Sequence, residues 1–186
     1  LTRIDVPGAA YTQPAGVNNL GQVVGEYQDG DGRYHGFLWQ RGRFTTIDAP
    51  GAAATGLAAI NDRGQITGFR ADDLTAQPPV IRGFVLDKGR STTVDPFGAP
   101  ITFPFGLNNR DQVVGFTLAD PAVAVFRGFV LDKGANGPVT EIRVPGATSN
   151  GVSAINDLGQ LVGSYGNPNA TSGQQGAGQP AVGATP

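Results

Sequence analysis

The chain has 186 residues, a formal net charge of −2, no cysteine, no methionine, one histidine and one tryptophan. Without cysteine there are no disulfides, thiolate zinc sites or cysteine nucleophiles. The near-neutral balance argues against an electrostatic nucleic-acid binder, and no run approaches the roughly eighteen apolar residues of a membrane-spanning helix.

The chain opens with RIDVPGA at 3–9 and then repeats itself. GVNNLGQVVGEY starts at Gly16, LAAINDRGQITGF at Leu57, GLNNRDQVVGF at Gly106 and VSAINDLGQLVGSY at Val152. The anchors Asn18, Asn61, Asn108 and Asn156 are spaced by 43, 47 and 48 residues. A second block follows in three units: HGFLW at 35–39, RGFVL at 82–86 and RGFVL at 127–131. A third block closes each of those units: TIDAPGA at 46–52, TVDPFGA at 93–99 and IRVPGA at 142–147. Several registers thus agree on one period in the mid-forties.

Each unit reads as four short strands. The first ends at Asn-Asn/Asp-x-Gly, a turn whose glycine takes the left-handed position. Unit three puts Asp111 where the others have Gly21, Gly64 and Gly159. Gln-Val-Val-Gly and its variants form the second strand, Gly-Phe-Leu/Val the third. Tight turns at Arg41-Gly42, Lys88-Gly89 and Lys133-Gly134 lead to the fourth. With 29 glycines and 14 prolines, helical periodicity is nowhere sustained.

Four strands per unit at this period predict an all-β, four-bladed β-propeller-like fold. The units are 10–52, 53–99, 100–147, and 148–165 completed by 1–9, so that the two ends share the last blade. A β-trefoil or a fragment of a larger propeller are the alternatives. The fourth unit has no GFL block: the tail near Ala181-Val182 supplies that strand, or the blade lacks it. A missing strand leaves an edge open to a partner or to a second copy. Residues 166–186 carry no charge and no aromatic and read as a low-complexity tail or linker.

GVNNLGQVVGEY, HGFLW and TIDAPGA together resemble the extracellular HAF-repeat proteins of bacteria. The match to the family's His-Ala-Phe strand is His35-Gly36-Phe37, with Arg82 and Arg127 replacing His in later units. The resemblance covers about 1–165. It implies a secreted or cell-surface bacterial protein with a propeller-like fold, and carries over no catalytic residues.

Nucleophile-elbow, P-loop, zincin and dinucleotide fingerprints are absent. A lone histidine makes no multi-histidine metal site, so His35 reads as a strand residue paired with a carboxylate. The recurring Asn and Gln positions read as turn and inter-unit hydrogen bonding. Asp5, Asp48 and Asp95 share one register, with Arg143 in the fourth copy. His35, Arg82 and Arg127 share another, and cross-strand ion pairs between the two sets are expected. Tyr34 and Trp39 flank the His35 strand. Trp39 stands next to the position where other units have Asp87 and Asp132, which makes it a candidate exposed stacking face. Tyr34, His35, Trp39, Arg82 and Arg127 are therefore the candidate ligand-binding residues. Asp29-Gly-Asp31-Gly resembles part of a calcium loop. Asp29 and Asp31 are the candidate metal ligands, calcium the candidate ion, and no other cofactor is expected. The expected function is an extracellular binding or structural-assembly module, binding glycan or protein or associating with itself. The alternative is a polysaccharide-acting hydrolase or lyase using Asp29, Asp31, Asp72, Asp73 and Asp120 on the loop face.

Overall fold

The computed structural model describes residues 2–118 and 125–166. The segment around Ala181-Val182 and the loop at Asp120-Pro121 lie outside the described residues. The described chain is all-β, and none of its sheets closes into a barrel. Unit one is β1 (Tyr11–Val17), β2 (Val23–Gln28), β3 (Tyr34–Gln40) and β4 (Arg43–Ile47) in an antiparallel meander. Unit two repeats it with β5 (Ala54–Ile60), β6 (Ile66–Ala71), β7 (Ile81–Asp87) and β8 (Arg90–Val94). Unit three does so with β9 (Ile101–Leu107), β10 (Val113–Leu118), β11 (Phe126–Leu131) and β12 (Val139–Ile142). One parallel pairing, Ile81 with Ile101, links units two and three.

Unit four differs. β13 (Ser149–Ile155) and β14 (Leu161–Gly166) form a two-stranded sheet. Residues 2–10 add no strand to it, contrary to the expectation from the opening block. That block instead braces the unit that follows it. Val6 N–H donates to Thr12 Oγ1 at 3.1 Å and Ala10 N–H to Gln28 O at 2.8 Å. Ala49 N–H makes the equivalent bond to Thr55 Oγ1 at 3.1 Å ahead of unit two.

The repeated residues have local causes. Asn18 Oδ1 accepts from Leu20 N–H (3.1 Å) and Gln22 N–H (3.0 Å), and its amide donates to Gln22 Oε1 at 2.7 Å. Asn61, Asn108 and Asn156 repeat this turn. Its left-handed residue is Gly21 (φ 73°), Gly64 (φ 77°) or Gly159 (φ 81°), and in unit three Asp111 (φ 63°). Asp tolerates that region better than most side chains. The third-strand glycines answer a different demand. A Cβ on Gly83 would lie 2.8 Å from Pro104 Cδ, and one on Gly36 would lie 2.7 Å from Leu57 Cγ. Pro104 and Leu57 hold the same register in the unit that follows, so glycine lets neighbouring sheets approach face to face.

The core therefore sits between units rather than within them. Val24 of unit one packs with Leu57, Ile60, Ile66 and Phe84 of unit two. Val85 and Val94 of unit two pack with Leu107, Val113 and Phe129 of unit three. Val114 and Val130 of unit three pack with Val152 and Leu161 of unit four. Side chains thus alternate between two neighbours, as a pleated strand buried on both faces requires. Among the described residues no helix is long and apolar enough to cross a membrane.

Candidate functional site

The first strand of every unit carries a bulge, at Ala15, Ala58, Phe105 and Ser153. A bulge inserts a residue, bends the strand and re-aims a side chain. The four bulged residues stand at one register, three before the anchor asparagine. All four line one cavity of about 510 Å³, together with Gln13, Pro14, Glu26, Leu57 and Phe69. Its lining is mainly apolar, with the Gln13 amide and Glu26 carboxylate of unit one and the Ser153 hydroxyl of unit four among it. Such a mixture is typical of small-ligand sites.

Glu26 stands on β2 where units two to four have Phe69, Phe116 and Ser164. It is half-buried, and a Cβ on Gly56 would lie 2.5 Å from its Oε2. No described cation forms a salt bridge with it. Burial therefore raises its pKa above the ordinary carboxylate value. The equivalent phenylalanines extend the apolar wall. Phe69 meets Phe103 edge-on at 5.0 Å between centroids, Phe103 stacks on Phe105 at 5.6 Å, and Phe105 meets Phe116 at 5.5 Å. Each of these rings is partly exposed, so the row offers ring surface to solvent beside the cavity.

The residues singled out from sequence lie elsewhere and are not brought together. Tyr34 and His35 are adjacent on β3, so they point to opposite faces. Trp39 shares the face of His35 but sits four residues along, about 13 Å at strand rise. It is half-buried and opposite Phe44 rather than fully exposed. Arg82 and Arg127 belong to units two and three.

His35 does find its carboxylate. Its Nδ1 lies 2.8 Å from Asp48 Oδ2, its Nε2 lies 3.1 Å from Asp29 Oδ2, and its ring stacks on Tyr27 at 5.2 Å. Burial alone would lower its pKa. The hydrogen bonds and charges of Asp48 and Asp29 outweigh burial and raise it. An imidazolium donates at both nitrogens, which suits this clamp. The later copies shift their partners. Arg82 lies 3.7 Å from Asp72 rather than pairing with Asp95, and Arg127 binds both oxygens of Glu141, two residues before Arg143. Asp72 comes from the loop after β6 and Glu141 from β12, so the carboxylate moves while the basic register stays fixed.

Asp29 is occupied by its own turn. Oδ1 accepts from Asp31 N–H (3.0 Å) and Arg33 N–H (2.9 Å), which with His35 holds its pKa down. Among the described residues no group of three or more acidic, His or Cys side chains is placed to hold a metal ion. Asp72 and Asp73 are likewise engaged. Asp72 lies 3.4 Å from Arg70, and Asp73 accepts from Thr75 N–H and Oγ1 at 2.7 Å.

Glu26 was legible in one respect only: a charge stands where two sister units have phenylalanine. Phe105 and Ser153 gave no such signal, because only the bulge turns that register inward. No protein-family model matches the chain, and comparison with curated proteins gives no match.

Proposed function

We propose that this chain is a β-propeller-like repeat domain of the extracellular HAF-repeat type and works as a binding module. Its ligand is a hydroxyl-rich, largely uncharged molecule such as a glycan, held at the cavity where the four bulged residues converge. The observation that carries this reading is the pairing of partly exposed Phe69 and Phe105 with Gln13, Glu26 and Ser153 in one cavity. Ring faces stack on the C–H surface of a sugar, while amide, carboxylate and hydroxyl groups take its hydroxyls. Glu26 is the one carboxylate among the lining residues. Glycoside hydrolysis uses two carboxyl groups flanking the scissile bond, so binding fits this cavity better than cleavage. A chain without cysteine or methionine also resists the oxidising conditions outside a cell.

The test is a glycan microarray followed by calorimetry on any hit. Phe105→Ala and Glu26→Gln should each weaken binding by about tenfold or more. Trp39→Ala and Arg82→Ala should leave it unchanged. Binding that survives both cavity substitutions, or an array without hits, would overturn the reading.

A further inference from the structure

We propose that the free face of unit four binds the free face of unit one in a second copy of this chain, head to tail. The three junctions inside the chain are the template. At each, an anchor asparagine donates its amide to the backbone carbonyl of the next: Asn18 to Asn61 (3.0 Å), Asn61 to Asn108 (3.1 Å) and Asn108 to Asn156 (3.0 Å). Beside this line runs a second one through the following residues, Asn19, Asp62, Asn109 and Asp157. Asn19 N–H donates to Asp62 Oδ1 (2.9 Å), Asp62 N–H to Asn109 Oδ1 (2.9 Å), and Asn109 N–H to Asp157 Oδ1 (2.7 Å). The Asn109 amide also donates to both flanking carboxylates, Asp62 at 3.0 Å and Asp157 at 2.9 Å.

Both lines stop at the ends of the described chain, and what they lack is complementary. Asn156 donates its amide only within its own turn, to Gln160 Oε1. Among the described residues Asn18 O accepts only from Gly21 N–H, whereas Asn61 O accepts from both Gly64 N–H and Asn18. Asp157 N–H has no described acceptor, and Asn19 Oδ1 has no described donor. Seating Asn19 of a second copy on Asp157 reproduces the Asp62–Asn109 junction, with Asn next to Asp. Tail on tail would set Asp157 against Asp157, which like-charge repulsion disfavours.

The apolar surfaces agree. Val162 is 47% exposed, while Val24 and Val114 at the same register are 0% exposed under the next unit. Val17 is 67% exposed, while its counterparts Ile60 and Leu107, covered by the preceding unit, are 6% and 8% exposed. Each end thus presents one half of a junction that the chain builds three times. Unlike the binding cavity, this seam needs no ligand.

Sedimentation and light scattering on the full 186-residue chain test it across a concentration series. The mass is expected to rise above the monomer as concentration increases. Val17→Asp and Val162→Asp each place a carboxylate in the seam and should weaken association more than about tenfold. Mixed one to one, the two variants keep one intact head and one intact tail between them and should associate again. Amide exchange at Asp157 and Val162 in the wild type should slow with concentration, a readout that needs no variant. A wild type that stays monomeric, as closure within one chain would give, overturns the proposal. So does a Val17→Asp variant that associates like wild type, or exchange that ignores concentration.

Discussion

Asn61→Ala tests whether the junctions, rather than the individual sheets, hold the molecule together. Asn61 is 4% exposed and its side chain makes four hydrogen bonds. Its Oδ1 takes Arg63 N–H (3.1 Å) and Gln65 N–H (3.0 Å), and its amide donates to Gln65 Oε1 (2.6 Å) and Asn108 O (3.1 Å). Each such bond contributes about 1 kcal/mol net, and a buried group left without its partner costs about 1–3 kcal/mol. The turn amides lie near solvent and regain water. Asn108 O lies at the buried junction and loses its donor. The expected loss is about 3–4 kcal/mol, or a Tm drop on the order of 10 °C for a chain of this size. Asn156→Ala is the internal control. Asn156 makes the same turn bonds on an exposed surface and donates across no described junction. It should cost about 1 kcal/mol. Urea unfolding of both variants gives the comparison through the midpoints, provided the slopes agree. Equal losses would refute the reasoning, because the turn alone would then account for the whole effect.

Thr67→Val should raise stability by about 1 kcal/mol. Thr67 is fully buried, its hydroxyl has no described partner, and Val24 and Val114 hold the same register. A lower urea midpoint would mean the hydroxyl is satisfied after all. Glu26→Gln should also stabilise the fold at neutral pH. Burial raises the folded pKa of Glu26 above 4.5, so its ionised form is penalised in the folded state above that pKa, and the penalty vanishes below the unfolded value. The variant's advantage should therefore disappear at about pH 4, and an advantage that persists there would exclude burial as its cause. His35→Ala should show the opposite trend. The folded pKa of His35 lies above 6.5, so the clamp by Asp48 and Asp29 stabilises fully below the unfolded pKa and fades as pH rises through the folded one. The gap between wild type and variant, read from urea midpoints, should be full below the unfolded pKa and shrink as pH rises through the raised folded one. A gap independent of pH would show that only packing against Tyr27 matters.

The strand order of the first three units was readable because each strand carries its own local signal. The Asn-x-x-Gly turn, the Arg-Gly hairpin turn and the Gly-Phe strand are satisfied by short-range geometry. The role of the opening block was not readable in that way. RIDVPGA matches the closing blocks equally well whether it completes unit four or precedes unit one, and only the Val6 to Thr12 bond decides. The ion pairs were half legible. His35 on β3 faces Asp48 just past β4 as alternation requires, but Arg82 takes a carboxylate from the loop after β6 and Arg127 one on β12, two residues before the expected register. The cavity was hidden because a bulge breaks the period of two on which strand reading rests. Ala15, Ala58, Phe105 and Ser153 share no side-chain chemistry that would mark them as one lining.

The line through Asn19, Asp62, Asn109 and Asp157 imposes a parity on the architecture. Excising unit three would bring Asp62 beside Asp157 and set two carboxylates where an amide now bridges them. Excising units two and three together would keep the sequence of amide and acid intact. Loss of a pair of repeats thus leaves the alternation of amide and acid undisturbed, whereas loss of unit three alone costs a carboxylate contact.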